Sequence, residues 1–255
     1  MYTWFLSLVE SIIQTLRPME NTVTDTRTPS LTTADPTAQR RPSRRSRSGI
    51  ERPREGQVRI RLGALGLSAL GVQAIGRVEA VGPEAAGFAP GGRVAYQFSA
   101  LTPGLSHIVG ERDLIGFPKD VAIEKAAALL PLGVIARAIV KQLHSIGRGN
   151  RVSVAPDPSG VDAFVRAWAE HLGAAIVEAG EPNVDVAITG EDYKAARMLR
   201  NSHGLAQLAA SDVFQAVRAG VFDGLAIASY PLSDAAKAKS AFEDRSGKPV
   251  VLLAA

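Results

Sequence analysis

Apolar and polar positions change their rhythm at Gly56. From there the pattern is that of short strands. Q-V-R-I-R-L at 57–62 alternates as a half-buried strand does, G-R-V-E-A-V-G at 76–82 alternates again, and G-G-R-V-A-Y at 91–96 enters a third strand after a Pro-Gly turn. V-A-I-E-K-A-A-A-L-L at 121–130 then opens a helical stretch that continues past Pro131 to about Ser145. The densest signal follows at 152–177, where V-S-V-A-P-D-P-S-G-V-D-A-F-V-R-A-W-A-E-H-L-G-A-A-I-V reads as a buried strand, a tight turn, an amphipathic helix and a second buried strand. Beyond it the pattern predicts a strand at 184–188, helices around 192–201 and 211–219, a strand at 225–229, a helix over 233–243 and a closing strand at 249–253. An all-β part followed by alternating helices and strands predicts two fused domains, the second an open α/β sheet, and so an α/β chain overall.

The N-terminal region is different. Residues 19–55 are rich in Thr, Pro, Ser and Arg and nearly devoid of large apolar groups, so they cannot bury enough surface to offset the entropy of ordering. The expectation is a disordered tail over 1–55, with a short amphipathic helix at 2–17 carrying Phe5, Val9, Ile12, Ile13 and Leu16 on one side. That helix could dock on a partner or a membrane surface, but its polar side lacks Lys and Arg. Translation from Met19 would remove it altogether. The segment has neither the basic start nor the cleavage site of a signal peptide.

Charge follows the same division. Residues 1–54 hold nine Arg and no Lys against five acids, whereas the remaining residues hold 20 basic and 20 acidic side chains. The net charge of +4 therefore resides in the tail. Nucleic acid is not an expected partner of the folded part, only of the basic stretch 40–54, where R-R-P-S-R-R-S-R-S places Ser43, Ser46 and Ser48 among arginines and so open to charge control by phosphorylation. No cysteine is present, which removes disulfides and thiolate metal sites, and His107, His144, His171 and His203 stand too far apart for metal-ligand spacing. There is no apolar run long enough for a transmembrane helix, and the expected location is the cytoplasm.

The strand-turn-helix-strand unit at 152–177 has the form that opens a dinucleotide-binding domain. Its turn should offer backbone N–H groups to a pyrophosphate, with a helix N-terminus behind and no Cβ in the way. It holds instead Pro156, Asp157, Pro158, Ser159, Gly160, Val161 and Asp162. Each proline deletes a donor. Asp162 adds bulk and negative charge, and two unit charges ~4 Å apart at an effective dielectric of 20 repel by about 4 kcal/mol, which is roughly three decades of affinity. The same residues have a structural reading in which Asp157 or Ser159 caps the helix beginning near Gly160 and the turn needs no anion.

Taken together, five strings in order give the chain a family likeness. G-R-V-E-A-V-G-P-E-A-A-G-F-A-P-G-G-R-V-A-Y at 76–96, A-A-A-L-L-P-L-G-V-I-A-R-A-I-V at 126–140, R-A-W-A-E-H-L-G-A at 166–174, D-V-F-Q-A-V-R-A-G at 212–220 and Y-P-L-S-D-A-A-K-A-K-S-A-F-E at 230–243 resemble the quinone oxidoreductase (zeta-crystallin-like) branch of the medium-chain dehydrogenase/reductase superfamily. The resemblance implies a GroES-like, partly β-barrel domain at 56–130, completed by 221–255, fused to a shortened Rossmann-like cofactor domain at 131–220. It implies NADPH as cofactor, no metal, and a small quinone or enone as substrate.

Departures from the family accompany the likeness. Between Leu70 and Ile75 the chain lacks a loop and strand that line the family's substrate cleft, and the family's usual asparagine there appears as Ser68. A βα unit is missing between Glu178 and Val184, and more sheet after about Ala209. The family turn A-A-x-G-G-V-G survives only as Gly160 and Val161, with Ser159 beside them and Asp162 opposing phosphate. Gly92 replaces an aspartate, leaving Arg93 without its local partner. Sheet edges and apolar helix faces left exposed by such losses would need a protein partner or a second copy to cover them.

In this branch the protein supplies no dedicated catalytic acid, so no residue is expected to be catalytic in the strict sense. Tyr96, Ser68 and Val134 are the cleft candidates, although a tyrosine in a strand and a valine in a helix are more often core residues. The expected function is that of a quinone oxidoreductase-like protein with a degraded nucleotide turn, weak or absent hydride transfer and a retained binding or scaffold role. The alternative is an active, zinc-independent NADPH-dependent quinone or enone reductase.

Overall fold

The computed structural model describes residues 52–98, 104–199, 203–244 and 249–254. The predicted tail over 1–55 and its helix at 2–17 lie outside the described residues, apart from the last four positions.

The first sheet grows from one long strand. β1 (Gln57–Ser68) pairs antiparallel along its length with β2 (Gly71–Val81), and the two are joined by a tight turn at residues 69–70. The strand pattern at 57–62 thus marks only the first half of a twelve-residue strand. The second half follows a break in register between Leu62 and Ala64. Before the break Val58, Ile60 and Leu62 point into the core of the sheet, and after it Leu65 and Leu67 do. The extra residue reverses the parity of the strand, which is what a β-bulge does. On its other edge β1 pairs with β4 (Ser106–Gly110) through residues 57–61 and with β10 (Val250–Leu253) through residues 64–67. A bent strand shared in this way lets the sheet curl toward a barrel. β3 (Arg93–Gln97) and β5 (Ile115–Gly116) extend the sheet beyond β2, and β9 (Ala228–Pro231) extends it in parallel beyond β10.

Helix α1 (Ile123–Arg137) leaves this sheet and crosses to the second. It is buried nearly all round, which its alanine-rich, uniformly apolar sequence permits. It continues as a π-helical segment, Ala138–Leu143, rather than as one regular helix to Ser145. The second sheet is small and parallel, ordered β7-β6-β8, from β6 (Arg151–Val154), β7 (Ala175–Val177) and β8 (Val186–Ile188). Helix α2 (Val161–His171) makes the crossover between β6 and β7. A loop at 178–185 carries the chain from β7 to β8 with no helix. β7 and β8 flank β6 as its two parallel partners, so this loop must cross β6, and strands of three residues leave little length to retrace. Helices α3 (Gly190–Leu199) and α4 (His203–Arg218) follow, and α5 (Ala235–Glu243) packs beside β9 and β10.

Two apolar clusters result. One fills the first sheet, with Ile60, Leu65, Val94 and Leu252 at its centre and Ala235 and Ala238 of α5 at its margin. The other runs from Ala64, Ile75 and Val251 of the first sheet through α1 to Val152, Phe164, Trp168 and Ile188 of the second. Among the described residues no helix is long and apolar enough to cross a membrane.

Candidate functional site

Among the described residues, places that could hold small molecules include the β6–α2 turn, the cavity between the first sheet and α1, and an open groove of about 660 Å³ beside Arg93, Phe117 and Arg218.

The turn at 155–160 is closed by its own side chains. Gly160 takes the left-handed conformation, φ +81°, that turns the chain into α2, a backbone state that favours glycine over any residue with a Cβ. Its N–H donates to the Asp157 carbonyl at 2.9 Å. The helix carries no side-chain cap, so the expected capping by Asp157 or Ser159 does not occur. Asp157 instead accepts the Ser159 N–H at 3.0 Å and the Ser159 hydroxyl on the same carboxylate oxygen, Oδ2. This Asx-type turn stops one residue short of the helix. Arg197 of α3 closes the arrangement, donating from Nη2 to Asp157 Oδ1 at 2.9 Å and Oδ2 at 2.8 Å. Val161 is fully buried, and Asp162 lies in the first turn of α2, where its charge favours the helix dipole. Tyr193 of α3 donates its hydroxyl to the Ala155 carbonyl at 2.7 Å, and burial, with the Asp162 and Asp157 carboxylates nearby, pushes its ionisation well upward. It therefore stays a neutral donor.

The cavity, of about 320 Å³, opens between strands of the first sheet and helices α1 and α4. Val109, Ile115, Leu130 and Val134 give it apolar walls, and Gln73, Gln97, Gln207, Arg112 and Asp113 its polar ones. The amide nitrogens of the three glutamines donate to the backbone carbonyls of Tyr96, Val72 and Leu114 at 2.7, 3.0 and 2.6 Å, which fixes their orientation.

Of the three cleft candidates, only Val134 lines this cavity. Tyr96 is buried within the first sheet, and its hydroxyl lies 2.7 Å from His107 Nδ1. His107 Nε2 donates to the Gly104 carbonyl at 3.0 Å, so Nδ1 accepts from Tyr96 and the ring is the neutral tautomer. Burial lowers the His107 pKa and raises that of Tyr96, which keeps both neutral. Ser68 sits at the β1–β2 turn, donating its hydroxyl to the Gly71 carbonyl at 3.0 Å and accepting the Leu70 N–H at 3.2 Å. Arg93, which lacks an acidic neighbour in sequence, finds backbone carbonyls: its Nη1 donates to Lys119 at 2.6 Å and Val121 at 2.7 Å, and its guanidinium stacks over Phe117. Arg197, Gln73, Gln97 and Gln207 were not singled out in the sequence. The approach of Arg197 to a turn forty residues away has no local signature. Among the described residues no cluster of His, Asp or Glu could hold a metal.

No family model matches the chain. A quinone oxidoreductase of Pseudomonas aeruginosa is 32% identical over 111 residues, which are 43% of this chain and 34% of that protein. A 2-haloacrylate reductase of a Burkholderia species is 28% identical over 156 residues, 49% of this chain and 45% of that protein. The chain thus spans less than half the length of these curated relatives. Among solved structures, the quinone oxidoreductase of Pseudomonas syringae aligns with a TM-score of 0.61 at 20% identity, covering 80% of this chain and 93% of that one. The Escherichia coli quinone oxidoreductase complexed with NADPH gives 0.61 at 17% identity with the same coverage. Those structures share this chain's two-part architecture, a GroES-like mixed sheet joined to a Rossmann-type parallel sheet. Over part of its length the chain is therefore similar in sequence to a quinone oxidoreductase and a 2-haloacrylate reductase, and its fold is that of solved quinone oxidoreductases.

Proposed function

We propose that this chain is a shortened quinone oxidoreductase-like protein that binds nicotinamide nucleotide weakly or not at all and keeps a small-molecule binding role in the cavity beside α1. The observation that carries this reading is the loss of N–H donors from the β6–α2 turn. Pro156 and Pro158 have none, the Ser159 N–H is bound to Asp157 and the Gly160 N–H to the Asp157 carbonyl. The three-stranded second sheet offers little further surface for an adenosine. In an active reductase of this kind NADPH, which the Escherichia coli quinone oxidoreductase structure contains, would supply a hydride and the protein would align it with the substrate. Here the residues nearest to such a role are Ser159, Gly160, Val161 and Asp162, and they fit a pyrophosphate poorly.

The cavity favours retention of a ligand. Its apolar walls suit a small planar quinone or enone, and Arg112, exposed beside it, could donate to the ligand's carbonyl oxygen. Val134 is the lining residue we assign to substrate contact, whereas Tyr96 and Ser68 are assigned to packing and turn closure. Apart from the cavity, the edges of β7 and β8 are surfaces that a protein partner or second copy could cover.

Calorimetric titration of NADPH and NADH into the full chain, with thermal melting as a check on folding, tests the reading. We expect no saturation below about millimolar cofactor, the regime of roughly −4 kcal/mol binding. A micromolar Kd would overturn it in favour of the active NADPH-dependent reductase, and NADPH oxidation with a benzoquinone would then give the activity directly.

A further inference from the structure

The geometry points to Asp157 as an internal anion that holds the β6–α2 turn closed to phosphate, and to Arg197 as the cation that a nucleotide phosphate would claim in its place. The inference rests on the reading that the chain's nucleotide grip is weak, and it names the residue responsible.

A phosphate at the carboxyl end of a parallel strand is held by donors: backbone N–H groups, a hydroxyl and a cationic side chain. The turn has such a set. The Ser159 N–H, the Ser159 hydroxyl and the Arg197 guanidinium converge on one point, and the Asp157 carboxylate occupies it. Arg197 also lies 3.1 Å from the Ser159 hydroxyl oxygen, so the donors form one connected group. The Asp157 side chain is 7% exposed and that of Arg197 32%, which places the carboxylate beneath the guanidinium. Carboxylate and phosphate carry the same sign of charge and ask for the same donors, so both cannot be held there at once. Pro156 and Pro158 contribute no N–H, and a single carboxylate therefore suffices to occupy the set.

Arg197 has capacity that Asp157 leaves unused. It reaches both carboxylate oxygens from one terminal nitrogen, Nη2, and not through the two-nitrogen fork that matches planar oxyanions best. Its Nε is buried without an acceptor. A phosphate, with more oxygens than a carboxylate, could take up that donor.

The test compares NADPH, ADP and adenosine binding to the full chain carrying Asp157→Asn, Asp157→Ser, Arg197→Gln or the Asp157→Asn/Arg197→Gln pair. Calorimetry gives the affinities and melting confirms folding. Asparagine and serine both keep an oxygen to accept the Ser159 N–H while removing the charge. We expect either Asp157 variant to bind NADPH and ADP at least about tenfold tighter than wild type, with adenosine unchanged and the gain abolished in the pair. Folded Asp157 variants that bind ADP no tighter than wild type overturn the inference, as does an equal gain for adenosine or a gain that survives loss of Arg197. If neither Asp157 variant folds, the carboxylate is a structural necessity and not a block, which also overturns it. Tight NADPH binding by the wild type would instead sink the reading of the whole protein, because the inference is judged only by the ratio of variant to wild type.

Discussion

At the scale of single residues, the polar groups that look chemical are mostly satisfied by the protein itself. Tyr96 and His107 are the best example. Tyr96, a cleft candidate in the sequence, is buried within the first sheet, where Tyr96 and Gly104 supply the donor and the acceptor that the buried His107 ring needs. The pair gives stability a pH dependence. Burial holds the folded His107 pKa below its ordinary value of 6.5. Above pH 6.5 the ring is neutral in both states and costs nothing. As the pH falls below that value the unfolded chain takes up a proton that the folded chain refuses, so stability is lost as the pH drops through the folded pKa. Glu79, held low by the Ser106 hydroxyl and, against burial, by Arg59, acts in a lower window, below 4.5. Denaturant midpoints measured from pH 8 to pH 5 should decline below about 6.5, and His107→Gln should flatten that decline.

At the scale of elements, close approach decides more than propensity. Pro131 stands inside α1 and leaves the Ala127 carbonyl without its usual helical donor. That carbonyl faces β1 at Gly66, where an added Cβ would stand 2.0 Å from the Ala127 oxygen. The helix therefore packs on the strand at a point where only glycine fits. Gly66→Ala should lower the denaturant midpoint by the equivalent of about 3 kcal/mol or more, since backbone and not a movable side chain must give way. The pattern of apolar residues in 121–130 announces a buried helix but is silent on which face meets β1. Likewise the bulge between Leu62 and Ala64 is invisible in the alternation at 57–62, because it falls beyond that run, where β1 changes partner from β4 to β10.

At the scale of the whole molecule, α1 joins the two sheets. Ile135 is fully buried within the cluster that reaches from Ile75 to Trp168. Ile135→Ala should cost about 2–5 kcal/mol. Because the cluster is continuous, hydrogen exchange should show protection falling together in β2 and β6. Loss of protection in β6 alone would mean that the sheets unfold independently. The ion pair of Arg137 with Asp212, at 2.9 Å, ties α4 to the same helix, so the join is made of both apolar and charged contacts.

Local chemistry in the sequence determined the two-part order, the strand-turn-helix-strand unit at 152–177 and the poverty of its turn in N–H donors, because periodicity, glycine and proline act within a few residues. Five strings in the right order determined the resemblance. Tertiary structure alone decided the occupant of that turn. Asp157 could have capped α2, and it was the approach of Arg197 from α3 that fixed it as the carboxylate of an ion pair. It also separated Val134, at the cavity, from Tyr96 and Ser68, because the direction of a side chain in a curled sheet depends on bulges and on partners distant in the chain.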